Sequence, residues 1–306
     1  MSGHDRREEL RAQFELTKAS LEATSARIEK KAGRNLFLAL GSALVFGGLF
    51  LGSLFFIEQL FILFLAGLLS IALVELASAF RLAGRRVPRV GVVLGGLIII
   101  LGAYFWGAEG MLLGLFAGSV LLTMWRLVEG VIPGGEVAPQ TLIRDVFSGL
   151  FSLVYIPFLG SYTVLMVQGE RGEWWVFAMV LVVVSVDVGA YAAGVTLGKH
   201  KMTPRISPNK TWEGFAGAAV FAVLSGVLIS VLALEQPWWV GVVLGIIVLI
   251  TATGGDLTES LIKRNLGVKD MSSWIPGHGG FLDRLDSLLP STVGAYALAL
   301  SLGVLA

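Results

Sequence analysis

About nine long apolar runs constrain this chain more than any other feature. They cover residues 36–56, 60–80, 90–106, 111–125, 146–167, 174–195, 215–234, 238–255 and 288–305. A helix of roughly 20 mostly apolar residues crosses the hydrocarbon core of a bilayer. Only 15% of the 306 residues are charged and 55% are hydrophobic, a balance that excludes an ordinary soluble domain. The expected fold is therefore all-α: a polytopic integral membrane protein of about nine transmembrane helices. Residues 1–34 are polar and charged, and they lack both the apolar segment and the small-residue cleavage pattern of a secretory signal. They are expected to form a cytoplasmic tail, a solvated helix near the membrane, ahead of one membrane-embedded domain over 35–306.

The cations set the orientation. With the tail in the cytoplasm and the spans alternating, Arg81, Arg85, Arg86 and Arg89 fall inside, and so do Lys199, Lys201, Arg205 and Lys210. Lys263, Arg264, Lys269 and Arg284 join them, Arg126 and Arg144 flank the remaining inner loop, and Arg171 alone faces out. This is the asymmetry of the positive-inside rule. Trp174, Trp175, Trp238 and Trp239 lie at the outer ends, where amphipathic rings favour the headgroup region.

Two inner segments, 198–214 and 256–286, are long, charged and rich in turn residues, and they face one compartment. If the helix before Asp256 continues inward, Asp256, Glu259, Ser260 and Lys263 recur at i, i+3, i+4 and i+7 and share a face. Carboxylates and a cation on one stripe suit a metal ion with its phosphate ligand; a solvated stripe of internal ion pairs is the plainer alternative. Asp283 and Asp286 are three apart at the entry to the last helix. Such a pair suits Mg²⁺, which takes hard oxygen ligands, although capping of the helix would also favour acids there. Between the two groups, Pro276-Gly277-His278-Gly279-Gly280 permits the turns that aim successive N–H groups at an anion, or is a plain loop.

In the first segment, Ser207 is read as an N-cap and Pro208 as the first helical residue, which would aim helix amides, Lys210 and Thr211 at a phosphate. Asp187 lies within an apolar run, where an ionisable group is costly and usually functional. Tyr191, Gly194 and Gly198 follow on nearly the same face. Glu75 also lies inside a span, where a buried hydrogen-bonded acid or a helix contact explains it equally well. Cysteine is absent, which excludes disulfides, thiolate metal sites and cysteine nucleophiles. Residues 194–199 miss the P-loop spacing by one residue and lack its hydroxyl. His4, His200 and His278 are too scattered for a histidine zinc site, and the basic residues lack the aromatic interleaving of a nucleic-acid surface.

The run Ser260-Leu-Ile-Lys263-Arg264, with Lys269-Asp270 and then Pro276-Gly277-His278-Gly279-Gly280-Phe281-Leu282-Asp283-Arg284-Leu285-Asp286, resembles the signature of the phosphatidate cytidylyltransferases, or CDP-diacylglycerol synthases. Ser207-Pro208-Asn209-Lys210-Thr211-Trp212-Glu213-Gly214 is similar to a second motif of that family, and 187–198 resembles the segment leading into it. The likeness covers the C-terminal half; the N-terminal half matches in being multi-spanning. It implies an all-helical polytopic enzyme of the inner cell membrane, often a homodimer, whose site faces the cytoplasm. The implied reaction takes CTP and membrane-borne phosphatidate to CDP-diacylglycerol and pyrophosphate in phospholipid biosynthesis, and needs Mg²⁺ as one or two ions.

Carried over by residue, Asp256, Asp283 and Asp286 would be metal ligands, with Lys263 and Arg264 completing the catalytic set. Ser207, Asn209, Lys210, Thr211, Asp187, Lys269, His278, Gly279 and Gly280 would contact substrate. The nearest rival is a CTP-dependent lipid kinase of the polyprenol type. A transporter using Asp187 and Glu75 is a further one, although the chain lacks the repeated halves common in transporters.

Overall fold

The computed structural model describes residues 36–131, 138–268, 271–272 and 280–305. The tail over 1–34 lies outside them. The chain is mostly helical, and six of its helices are long and apolar enough to cross a membrane, among the described residues. In chain order the helices are α1 (Leu36–Phe56), α2 (Glu58–Leu82), α3 (Arg89–Val131), α4 (Pro139–Leu153), α5 (Leu159–Val167), α6 (Gly172–Leu197), α7 (Trp212–Leu232), α8 (Trp238–Leu266), α9 (Leu282–Leu285) and α10 (Leu288–Ser301).

The expected spans 90–106 and 111–125 are the two legs of α3, which doubles back at Trp106 and Gly107. Gly107 has φ 62°, the left-handed region that glycine enters without penalty. Glycines then bring the legs together. A Cβ on Gly102 would stand 2.3 Å from the Gly110 carbonyl, and one on Gly118 would stand 2.9 Å from that of Gly95. The following span begins earlier than expected and runs without a break through a π-turn, Val154–Phe158, which absorbs the missing N–H of Pro157. Arg126 and Asp145 form a buried ion pair at 2.8 Å, tying the second leg of α3 to α4.

α6, α7 and α8 form an antiparallel group whose helices are drawn close by small residues, as membrane helices are. A Cβ on Gly226 of α7 would meet the Gly241 carbonyl of α8 at 2.3 Å. Leu69, Leu73, Leu76, Ile156, Met166 and Trp175 are fully buried between helices, whereas Phe105, Phe116, Leu224 and Leu228 project outward, as lipid-facing residues do. Two features position the site. α8 does not end at the expected 255 but continues to Leu266, carrying its polar stripe out of the apolar stretch. Between α6 and α7 the chain forms a two-stranded antiparallel ribbon, β1 (Lys201–Thr203) with β2 (Ser207–Thr211), paired Lys201 to Thr211 and Thr203 to Ser207. Among the described residues the fold is thus helical with one small hairpin.

Leucine at position 226 cannot be accommodated without separating α7 from α8. Gly226→Leu should lower stability by about 2 kcal/mol, in the range for overpacking a tight contact. Thermal unfolding in detergent, compared with Gly254→Leu, where a Cβ would meet open space, measures it.

Candidate active site

Asp256, Glu259, Ser260 and Lys263 share one face of α8, as their spacing requires. Glu259 is only 1% exposed. Lys263 Nζ donates to Glu259 Oε2 at 2.8 Å and to Asp283 Oδ1 at 3.0 Å, linking α8 to the turn that begins α9. One helical turn back, Asp256 Oδ2 pairs with Lys210 Nζ at 2.5 Å, which links α8 to β2. Arg264 leaves this face: its Nε donates to the Ile206 carbonyl at 3.0 Å and supports the ribbon. Glycine at 255 makes the assembly possible, because a Cβ there would stand 2.1 Å from the Asp286 carbonyl.

The α9 turn is held from both sides. Asp283 Oδ2 accepts from Gly280 N at 2.8 Å and from Met271 N at 3.3 Å. Burial pushes the Asp283 carboxyl up, but the neighbouring Glu259 side chain, the Gly280 N–H and Lys263 outweigh burial and hold it below the usual carboxylate range. Asp286 shifts the other way. Burial, reinforced by the Asp256 charge, raises its carboxyl, and Ser287 N donates to its Oδ1 at 2.6 Å. On the far side, Glu75 of α2 accepts from Ser272 Oγ, from Phe281 N at 3.0 Å and from Leu282 N at 2.9 Å.

Beside this cluster lies a polar pocket of about 300 Å³, lined by Asp187, Ser207, Asn209, Lys210, Thr211 and Asp256 among others. The expected capping is corrected here. Ser207 and Pro208 belong to β2, and the helix starts at Trp212 with Thr211 as its N-cap, the Thr211 Oγ1 accepting from Gly214 N at 3.1 Å. A strand places Ser207, Asn209 and Thr211 on one side in alternation, so the motif reaches the pocket by a different geometry. Glu213 accepts from the N–H groups of Lys199 and His200, both at 3.1 Å, and pins the start of the ribbon.

The structure therefore gathers Asp187, Ser207, Asn209, Lys210, Thr211 and Asp256 round one pocket, and Lys263, Gly280 and Asp283 round the adjoining turn, with Asp286 facing Asp256 and Glu259. Lys269, His278 and Gly279 lie outside the described residues. Glu259 and Glu75 gain weight from the structure. Glu259 lay on the recognised stripe; Glu75 carried only the signal of an acid inside a span.

Four carboxylates, Asp256, Glu259, Asp283 and Asp286, face Lys210 and Lys263. Glu259 Oε1 is buried with no hydrogen-bond partner. Hard oxygens in excess of cations, one of them orphaned, fit a divalent ion such as Mg²⁺. No three of them converge into a ready-made ion cage among the described residues.

A cytidylyltransferase family model matches residues 38–302, from α1 to the end of α10. The chain belongs to this family. Its cytidylyltransferase relatives include the phosphatidate cytidylyltransferase of Mycobacterium bovis, 38% identical over 272 residues, which covers 87% of this chain and 89% of that protein. That of Mycobacterium leprae is 36% identical over 284 residues, 90% of each chain. That of Bacillus subtilis is 35% identical over 227 residues, 72% of this chain and 81% of that one. The family likeness therefore extends through the N-terminal half, where the motifs alone were silent.

Lys263→Met should strand Glu259 and Asp283 without their cation and cost about 3 kcal/mol. Arg264→Met, which loses one exposed hydrogen bond, should cost about 1 kcal/mol or less. Thermal unfolding without ligands compares the two.

Proposed function

We propose that this cytidylyltransferase is a CTP:phosphatidate cytidylyltransferase, making CDP-diacylglycerol and pyrophosphate. The observation that carries the reading is the turn from Phe281 to Leu289, which has a polar pocket on one side and an apolar pocket on the other. Ser287 lines the polar pocket. Phe281, Arg284, Leu285 and Leu288 line the apolar one, about 370 Å³, between α1, α2, α5, α6 and α10. A water-soluble nucleotide and a lipid need such neighbours, and Asp283, paired with Lys263, belongs to the turn between them.

The apolar pocket follows α2 from Leu69 to Phe61, about 12 Å at 1.5 Å per residue. That approaches the roughly 15 Å of one leaflet's hydrocarbon. With Arg284 at the cytoplasmic end of the pocket, the acyl chains of a phosphatidate would run along α2 toward Phe61. The nucleotide would lie against Asp187, Ser207, Asn209, Lys210 and Thr211. Gly280, with Lys269, His278 and Gly279, would complete the substrate contacts.

A phosphate monoester has a second pKa of about 6, so the phosphatidate oxygen is already anionic near neutrality and needs no strong base. That oxygen forms a bond to the α-phosphorus of CTP as the bond to the β-phosphate oxygen breaks, and the electron pair leaves with pyrophosphate. Lys263 would neutralise the departing charge, with Arg264 adding its own from the adjoining face where it holds the ribbon, and alignment supplies much of the acceleration. Asp256, Glu259, Asp283 and Asp286 would hold Mg²⁺, one or two ions, which would screen the phosphate oxygens when bound.

The topology we propose has nine crossings: α1, α2, the two legs of α3, the α4–α5 span, α6, α7, α8 and α10. The cation distribution supports a cytoplasmic site and N-terminus in the inner membrane. A homodimer is the assembly that the family likeness supports.

With CTP labelled at the α-phosphate, phosphatidate and Mg²⁺, label should enter the lipid fraction and EDTA should stop it. Label confined to free CDP, with new phospholipid formed from a lipid alcohol, would establish a kinase instead. Asp283→Asn should lower kcat by about a hundred- to a thousandfold in folded protein; normal turnover would remove Asp283 from the catalytic set. Leu65→Trp, which narrows the apolar pocket, should raise the KM for long-chain phosphatidate roughly tenfold while leaving that for CTP unchanged.

A further inference from the structure

Glu75 is 1% exposed, deep in α2, and no motif contains it. Its carboxylate nevertheless accepts hydrogen bonds across 206 and 207 residues of sequence, from Phe281 N at 3.0 Å and Leu282 N at 2.9 Å, and also from Ser272 Oγ. With Gly280 N, which donates to Asp283, three successive backbone donors at the start of α9 are taken up by two carboxylates. One is local and the other comes from the opposite end of the chain. Gly280 stands between them: a Cβ there would lie 3.0 Å from both Asp283 Oδ2 and Glu75 Oε2. These amides are the donors that a helix start leaves without intrahelical partners, and fixing them fixes the backbone that carries the next side chain.

We propose that Glu75 is the positioning residue of the α9 turn, holding Phe281 and Leu282 so that Asp283 meets Lys263. This inference rests on the reading of Asp283 and Lys263 as catalytic. Glu75 touches neither the polar pocket nor Lys263. It acts through two backbone amides, and its own charge takes no part in the reaction. A negative group suits the place, since carboxylates are favoured at helix starts and hydrogen bonds to a charged acceptor are the stronger kind.

Purified full-length protein in detergent tests it. Glu75→Leu removes all three hydrogen bonds. Glu75→Gln keeps one acceptor oxygen but turns an NH₂ group toward a donor. Hydrogen exchange read by mass spectrometry should show faster exchange of the Phe281 and Leu282 amides in Glu75→Leu, with α8 unchanged. In the same variant kcat should fall roughly a hundredfold, the cost of a small misplacement at the chemistry, while KM for CTP stays within about threefold. Glu75→Gln should recover part of kcat. If Glu75→Leu does not fold, Glu75→Gln carries the test, with the same kcat loss and unchanged KM at smaller size. Unchanged amide protection, or kcat per folded molecule equal to wild type in these variants, overturns the proposal. A wild-type protein that transfers no label would instead overturn the catalytic reading, whatever the amides do.

Discussion

The site depends on one cation. Lys263 reaches Glu259 on its own helix and Asp283 on the α9 turn, at 2.8 and 3.0 Å. Without it, two nearly buried carboxylates would face each other with no compensating charge. The lysine ties α8 to the Gly280–Asp286 segment, which Glu75 of α2 holds from the other side. A second cation, Lys210, repeats the device one turn earlier and draws the β1–β2 ribbon to Asp256.

Much of this was legible because it is periodic. Spans of 3.6-fold helix with apolar composition announce themselves, and so did the Asp256, Glu259, Ser260, Lys263 stripe, whose members are neighbours on any helix. The reversal inside α3 was readable as two runs separated by Gly107-Ala108-Glu109-Gly110, though not as a tight turn stacked on glycines. Pro157 sits inside an apolar run that the sequence read as one span, and the π-turn explains why that reading survives a proline.

What was hidden is non-local. Ser207-Pro208-Asn209-Lys210-Thr211 carries good N-cap chemistry, and local preference pointed to a helix start. Pairing with Lys201–Thr203 decided for a strand instead, and the cap moved four residues to Thr211. Glu75 was visible as an acid in an apolar span, yet its partners lie some two hundred residues away, and nothing in its neighbourhood predicts them. In both cases the deciding contact was between segments remote in sequence, where single-sequence periodicity has no purchase.

The N-terminal half thereby acquires a role that its composition conceals. α1, α2 and α5 wall the apolar pocket, and α2 supplies the acid that holds the catalytic turn from behind. The C-terminal helices alone would present Asp256, Lys263 and the ribbon, but the α9 turn would lose the carboxylate that accepts from Phe281 N and Leu282 N. A lipid-modifying site needs its reactive turn held at the membrane boundary while a mobile amphiphile enters from one side and a polyanion from the other. Anchoring that turn on a rigid apolar helix, through backbone amides that neither substrate requires, keeps its position independent of which substrate is bound.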